Sequence, residues 1–144
     1  MSPNVSLDHV TIVTDDFAAS QRVYGAVLGA LGMTPTVDYR DPEEDADDTG
    51  TVAAIGYGCP DRRPAIWLVA GSVPTTGAHL ALSVSGPDEV RIAAEIAAAA
   101  GARIVQAPRD WESAQLNYYG TQFTDPAGNL IEIVLRAPGR SGLP

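Results

Sequence analysis

The sequence predicts an α+β fold made of two β-α-β-β-β modules, and three observations support this prediction. Two stretches, LDHVTIV at Leu7–Val13 and AHLALSV at Ala78–Val84, alternate apolar and polar residues as half-buried strands do. Each stretch carries one of the two histidines of the chain near its start. Each is followed by a helical pattern that ends at a glycine, Gly32 in the first half and Gly101 in the second. Because the same order occurs twice, we interpret the chain as an internal repeat.

Each predicted module continues beyond its first strand in the same way. Apolar residues at helical spacing predict a helix up to Leu31 in the first half and up to Ala100 in the second. Three strands are then predicted in each half, at 34–39, 51–58 and 65–69 and at 102–106, 118–124 and 130–135. We therefore expect a single domain over residues 1–144, with modules of about 5–70 and 77–136.

The bulk composition limits the classes of function. The chain has a formal net charge of −9 and a sequence pI near 4.4, and part of the charge lies in the run Asp41–Asp48. An acidic surface repels phosphate groups, so we expect neither a nucleic-acid partner nor binding to a membrane surface. No apolar run approaches the ~20 residues that cross a bilayer, and no signal-peptide pattern is visible. The single cysteine, Cys59, excludes an intrachain disulfide, and we expect a cytoplasmic protein.

Strand alternation places three metal-binding side chains on the sheet face opposite the predicted helices. His9 and His79 occupy equivalent positions in the two halves, and Glu132 interrupts the apolar strand NLIEIVL. A lone buried carboxylate is costly unless it is paired or bound to a metal ion. We therefore predict that His9, His79 and Glu132 hold one divalent ion, a donor set that suits such ions. The alternative is that the histidines are hydrogen-bonded structural residues and Glu132 is solvated.

Two aromatic residues are predicted to line the same site and contact the substrate. Trp67 occupies the position in the first half that matches Glu132, and one of two adjacent tyrosines, for which we take Tyr118, must face the site. Core packing of Trp67 and hydrogen bonding of the phenol to the protein frame are the alternatives. The segment 109–112 (RDWE) lies in a predicted long connection. It is a candidate lid over the pocket, but we prefer the interpretation as a solvated turn. We assign no catalytic residue.

The segment YYGTQFTDPAGNLIEIV (Tyr118–Val134), together with LDHVTIVTDD and GAHLALSV, resembles the vicinal oxygen chelate superfamily. That superfamily includes glyoxalase I, extradiol dioxygenases, methylmalonyl-CoA epimerase, fosfomycin-resistance enzymes and bleomycin-resistance proteins. The resemblance implies a cupped, partly open mixed-sheet barrel with the helices outside. It implies that His9, His79 and Glu132 bind Fe²⁺, Mn²⁺, Ni²⁺ or Zn²⁺ in the cup. A fourth ligand of glyoxalase I and of the epimerase corresponds here to Trp67, which cannot bind a metal, so this position argues against those two activities.

The resemblance implies a divalent-metal-dependent enzyme that acts on a small oxygenated metabolite or xenobiotic by chelation and Lewis-acid activation. Such an enzyme would be a lyase, a dioxygenase or a transferase, and the lack of a third histidine weakens the dioxygenase interpretation. The alternative is a metal-free drug-binding protein of the bleomycin-resistance type, because an acidic chain with aromatic site residues suits a cationic aromatic ligand. A third interpretation is an inactive relative with a regulatory or structural role. The resemblance also implies a homodimer.

Overall fold

The computed structural model of the chain describes residues 4–38, 53–112 and 117–136, so the acidic run Asp41–Asp48 lies outside the described residues. Its elements run in the order β1 (Val10–Thr14), α1 (Phe17–Ala30), β2 (Thr34–Asp38), β3 (Ala54–Gly58), β4 (Ile66–Ala70), β5 (His79–Ser83), α2 (Pro87–Ala99), β6 (Arg103–Glu112), β7 (Asn117–Thr124) and β8 (Leu130–Arg136). The predicted α+β class and the two β-α-β-β-β modules are confirmed.

Each module has its own four-stranded mixed sheet. The strand order is β1-β4-β3-β2 in the first module and β5-β8-β7-β6 in the second. In both sheets the first strand pairs in parallel with the last, and the other pairs are antiparallel. No strand pairing joins the two sheets within the described residues, so these sheets form no closed barrel. As a result, β1 and β5 are both edge strands.

Local sequence signals account for where both helices begin and end. The side chain of Asp16 caps α1 by accepting a hydrogen bond from the backbone N–H of Ala19 at 3.1 Å. Pro87 occupies the start of α2, where no intrahelical donor is needed. Gly32 and Gly101 follow the two helices with φ values of +89° and +102°, a conformation that favours glycine. The helix stops predicted from these two glycines are confirmed.

One hydrophobic core joins the two modules, and α1 packs against α2 within it. The inward side chains of both sheets belong to this core, as shown by Ile12, Ile55, Leu68, Phe123, Ile131 and Ile133, all of which are buried. One face of each sheet is therefore occupied by packing, and the opposite face takes no part in this core. No helix in the described part of the chain is long and apolar enough to span a membrane.

The main differences from the predicted boundaries concern β1, β3 and β6, and β3 begins at Ala54 rather than at residue 51. The first strand begins at Val10 rather than Leu7, which leaves His9 just outside it. The strand predicted at 102–106 is longer, because β6 continues to Glu112, and the interpretation of segment 109–112 as a solvated turn is wrong. The pairing of β6 with β7 shifts register twice, once on each side of Gln106. These irregularities interrupt the period-two alternation on which the prediction depended.

A buried hydrogen bond ties α1 to the turn between β7 and β8. The phenol of Tyr24 donates to Asp125 Oδ2 at 2.6 Å. Asp125 also accepts hydrogen bonds from the backbone N–H groups of Ala127 and Asn129 and from the Asn129 side chain. Burial, and then the hydrogen bond to Asp125, raise the pKa of Tyr24 well above its usual value. The phenol is therefore a protonated donor in the native state.

Replacing Tyr24 with phenylalanine is expected to lower the free energy of unfolding by about 1–2 kcal/mol near neutral pH, because Asp125 loses one donor. This deficit should shrink as the pH rises above about 10, where the unfolded phenol loses its proton and the native one keeps it. Under those conditions the unfolded state binds fewer protons, so the stability of the wild-type protein falls. Urea denaturation of both proteins at about pH 8 and about pH 11 measures the effect. A difference that stays constant between the two pH values would contradict this role of the phenol.

Candidate functional site

The outward face of the second sheet, which we call the site face, carries three of the predicted site residues. Glu132 on β8 is paired with Gln122 on β7, which lies four residues from Tyr118 and therefore on the same face. His79, at the start of β5, shares this face because it lies two residues before Ala81, the partner of Glu132 on that strand. The pairing of β5, β7 and β8 thus places these three side chains close together on the site face.

Glu132 lies at the centre of this area. Its side chain is only 8% exposed, whereas that of His79 is 55% exposed. Oε1 of Glu132 contacts Nε2 of His79, and Oε2 accepts a hydrogen bond from the Tyr118 phenol at 3.3 Å. A carboxylate removed from water needs such partners, since an unpaired buried charge is strongly unfavourable. The structure therefore brings Glu132, His79 and Tyr118 together.

Gly120 provides the space in which the Tyr118 ring lies. A Cβ atom at Gly120 would be 2.9 Å from the Ile133 carbonyl oxygen and 3.2 Å from two carbons of the Tyr118 ring. Burial and the nearby Glu132 carboxylate, in that order, raise the pKa of Tyr118 above its usual value. The phenol is therefore kept protonated and donates to Glu132.

His9 lies in the first module and not beside Glu132 and His79. It precedes β1, its side chain is about half exposed, and its Nδ1 lies 2.7 Å from Asp8 Oδ2. The hydrogen bond with His9 is the main reason that the pKa of Asp8 is lower than usual. In the described ranges, no three histidine, cysteine, aspartate or glutamate side chains lie close enough together to hold a metal ion. The three predicted ligands are therefore not assembled within one chain.

Trp67 lies on the outward face of the first sheet. It is paired with Thr11 on β1 and with Gly56 on β3, and it is partly buried. A Cβ atom at Gly56 would be 3.1 Å from Cη2 of Trp67, so the indole covers this glycine. The position of Trp67 in the first sheet matches that of Glu132 in the second, as both follow an inward isoleucine on the last strand of a module.

Sequence reasoning identified Tyr118 as a site residue but missed the row of aromatic and cationic side chains on the site face, which consists of Arg109, Trp111, Tyr118 and Arg136. The rings of Trp111 and Tyr118 are stacked, with centroids 5.9 Å apart and an interplanar angle of 18°. The guanidinium carbon of Arg109 lies 4.2 Å from the Trp111 ring centroid, and that of Arg136 lies 5.4 Å from the Tyr118 centroid. The sequence signal that could have revealed the row is the spacing of Arg109 and Trp111, which are two residues apart. This spacing places them on one face only if segment 109–112 is recognised as a strand.

The sequence-family model described as Glyoxalase/Bleomycin resistance protein/Dioxygenase superfamily matches residues 6–133, which is most of the chain. The chain belongs to this superfamily. The predicted resemblance is thus confirmed at the level of the superfamily. A search of curated protein sequences found no match.

Solved structures of the superfamily share the fold. A glyoxalase/bleomycin resistance protein from Albidiferax ferrireducens T118 is 24% identical, with 90% of this chain and 98% of that chain covered and a TM-score of 0.65. A domain of the same description from Frankia sp. EAN1pec is 19% identical, with 94% and 100% covered and a TM-score of 0.66. A mutant of glyoxalase I from Zea mays is 20% identical, with 91% of this chain and 44% of that chain covered and a TM-score of 0.62. At these identities the similarity establishes the fold alone.

Replacing Gly120 with alanine is expected to destabilise the protein by about 1–3 kcal/mol, because the new methyl group meets a backbone carbonyl and the Tyr118 ring. The matched control is Gly29→Ala. Gly29 lies in α1, and a Cβ atom there would meet nothing within 4 Å. This control should raise stability by up to about 1 kcal/mol. Urea denaturation of the two variants measures both effects, and a neutral Gly120→Ala substitution would show that Tyr118 does not depend on this space.

Proposed function

We propose that the chain is a divalent-metal-dependent enzyme of the glyoxalase/bleomycin resistance/dioxygenase superfamily that acts on a small oxygenated metabolite or xenobiotic. The observation that carries the proposal is the buried carboxylate of Glu132, which faces away from the core and contacts the His79 imidazole. A carboxylate in such a place contributes little to packing. Its position is understandable if the two groups share a cation.

The donor set of the site face fits a first-row divalent ion. An imidazole nitrogen from His79 and a carboxylate oxygen from Glu132 suit Fe²⁺, Mn²⁺, Ni²⁺ and Zn²⁺. Tyr118 donates to the second carboxylate oxygen, and such hydrogen bonds orient a ligand and fix which oxygen is available. A bound ion would supply Lewis-acid activation of a substrate that chelates it through two adjacent oxygens.

We infer that His9 is the third ligand and comes from a second copy of the chain. With the proton on Nδ1, His9 donates to Asp8 and leaves Nε2 as a neutral donor for a metal ion, a common arrangement in metal sites. Two large apolar residues near His9, Val5 and Leu7, are each about 80% exposed, as is Val73 in the segment that joins the modules. Exposed apolar residues beside an edge strand are typical of an association surface. A homodimer would cover them and bring His9 to the site.

The residues of the site also bear on the type of reaction. With His9 and His79 assigned to the metal ion, the chain has no further histidine for proton transfer. Tyr118 is the proton donor next to Glu132, and it can orient the substrate or protonate an oxygen of the substrate. Trp67 occupies the position matching that of Glu132, so we propose three protein ligands and not four. This set fits a lyase, a dioxygenase or a transferase that does not need a fourth ligand.

A metal-free binding protein of the bleomycin-resistance type is the second candidate, and one observation favours it. The described part of a single chain contains no group of three metal-binding side chains. A protein without a metal site would then use the outward sheet faces, with Trp67, Trp111 and Tyr118, to bind a ligand directly. Metal analysis separates the two candidates.

Purified or Mn²⁺-reconstituted protein is expected to hold about one ion for each Glu132, because each intact site has one set of ligands. Glu132→Gln and His79→Ala should each reduce the bound metal by at least about tenfold. The matched control is Glu95→Gln, which removes an exposed carboxylate on α2. Metal content measured by plasma mass spectrometry tests this prediction. If the wild-type protein and all three variants bind equally little metal, the metal-free binding protein is the better assignment.

Mixing two inactive variants tests whether a second copy supplies His9. His9→Ala and Glu132→Gln each destroy every site in a homodimer. If the site lies between chains, a heterodimer of the two variants has one intact site, so random mixing restores about a quarter of the wild-type metal content. If the site lies within one chain, the mixture holds no more metal than the separate variants, and the shared site is excluded. Size-exclusion chromatography with light scattering verifies that dimers are present.

A further inference from the structure

We propose that Arg109, Trp111, Tyr118 and Arg136, the arginine–aromatic row, bind a carboxylate group of the ligand and so make the site selective for anions. The proposal deepens the proposed function by naming the charge of its substrate, and it rests on that function only for the chemistry that takes place beside the row. The binding of an anion is measurable without metal or turnover.

The row is built into the sheet by strand pairing. Trp111, Tyr118 and Arg136 are direct partners across β6, β7 and β8, so their side chains stand side by side on the site face. Arg109 lies two residues before Trp111 on the same side of β6. Each guanidinium lies over an aromatic ring, and the two rings are stacked on each other. Each cation–π contact is attractive and helps to hold the arginine in place.

The two guanidinium groups have donors available for a ligand. Arg109 donates from Nε to the Asp110 carbonyl oxygen at 3.3 Å, and neither Arg109 nor Arg136 forms an ion pair with a carboxylate among the residues described. A guanidinium has five N–H donors in a planar arrangement that matches a carboxylate. Arginines that lie over aromatic rings and form no ion pair among the described residues are therefore suited to binding a planar anion.

The local charge differs in sign from that of the whole chain. The chain carries a formal net charge of −9. Asp110 and Glu112 alternate with Trp111 on β6, so they lie on the other side of the strand. Glu132 is in contact with His79 and accepts a hydrogen bond from Tyr118. The row thus places two positive charges side by side on an acidic protein, where they attract an anionic ligand.

The row also argues against the cationic aromatic ligand that composition alone favours. A cation binds an aromatic side chain over the face of its ring. In this structure Arg109 covers Trp111 and Arg136 covers Tyr118. A cationic ligand would have to displace these arginines and would meet their positive charge. Because the Tyr118 phenol reaches Glu132, a carboxylate held at the row lies next to the proposed reaction centre.

The test uses benzoate and benzylammonium, two probes with the same ring and opposite charge, titrated into EDTA-treated full-length protein. The indole N–H signals of Trp67 and Trp111 are followed by NMR and assigned with Trp67→Phe; Nε1 of Trp111 is shielded from solvent. Benzoate should shift the Trp111 signal in a saturable way, and benzylammonium should not. Arg109→Gln combined with Arg136→Gln should weaken benzoate binding about tenfold or more.

The matched control is Arg22→Gln combined with Arg103→Gln, which removes the same charge from exposed positions on α1 and on β6 away from the row. This control should bind benzoate as the wild-type protein does. Equal shifts with both probes, or unchanged benzoate binding in the Arg109/Arg136 variant, would overturn the proposal. Normal metal content in that variant together with lost benzoate binding supports the row as a separate subsite. The Glu132→Gln variant separates the two proposals. If it loses its metal but still binds benzoate, the metal centre has failed while the row still works.

Discussion

The contact between Glu132 and His79 is the interaction on which the arrangement of the site face depends. A carboxylate that is almost removed from water requires compensating partners, and the sheet supplies them from two neighbouring strands. The parallel pairing of β5 with β8 brings the imidazole, and the antiparallel pairing of β7 with β8 brings the Tyr118 phenol. Gly120 leaves room for that phenol. Changing the register by one residue would turn Glu132 into the core and separate all of these groups.

The arginine–aromatic row extends this arrangement away from Glu132. Tyr118 belongs to both parts, because its hydroxyl donates to Glu132 while its ring stacks on Trp111 and lies under Arg136. The site face therefore has a polar end that suits a cation and a positive end that suits an anion. A substrate with vicinal oxygens at one end and a carboxylate at the other would complement both ends. Such a distribution of charge could not be inferred from the acidic net charge of the whole chain.

The fold was largely predictable because its signals are local. Alternation in Leu7–Val13 and Ala78–Val84 and the positive-φ glycines after the helices fixed the repeat. The end of β6 was not predictable, because its register shifts against β7 disturb the alternation. Of the candidate site, the shared face of Glu132 and His79 follows from strand periodicity. The separation of His9 does not, because the distance between modules depends on how they pack together, which no local pattern records.

The position of Trp67 has a consequence for how such a protein can change over evolution. The side chain points away from the core, and its tight contact lies over Gly56 at the surface of the first sheet. Among the described residues, Trp67 is not part of the hydrophobic core that joins the two modules. If the outward sheet faces hold an ion as proposed, residue 67 is a position where one substitution would change the number of protein groups available to that ion. A change of chemistry at this position would thus leave the inward side chains that form the core as they are.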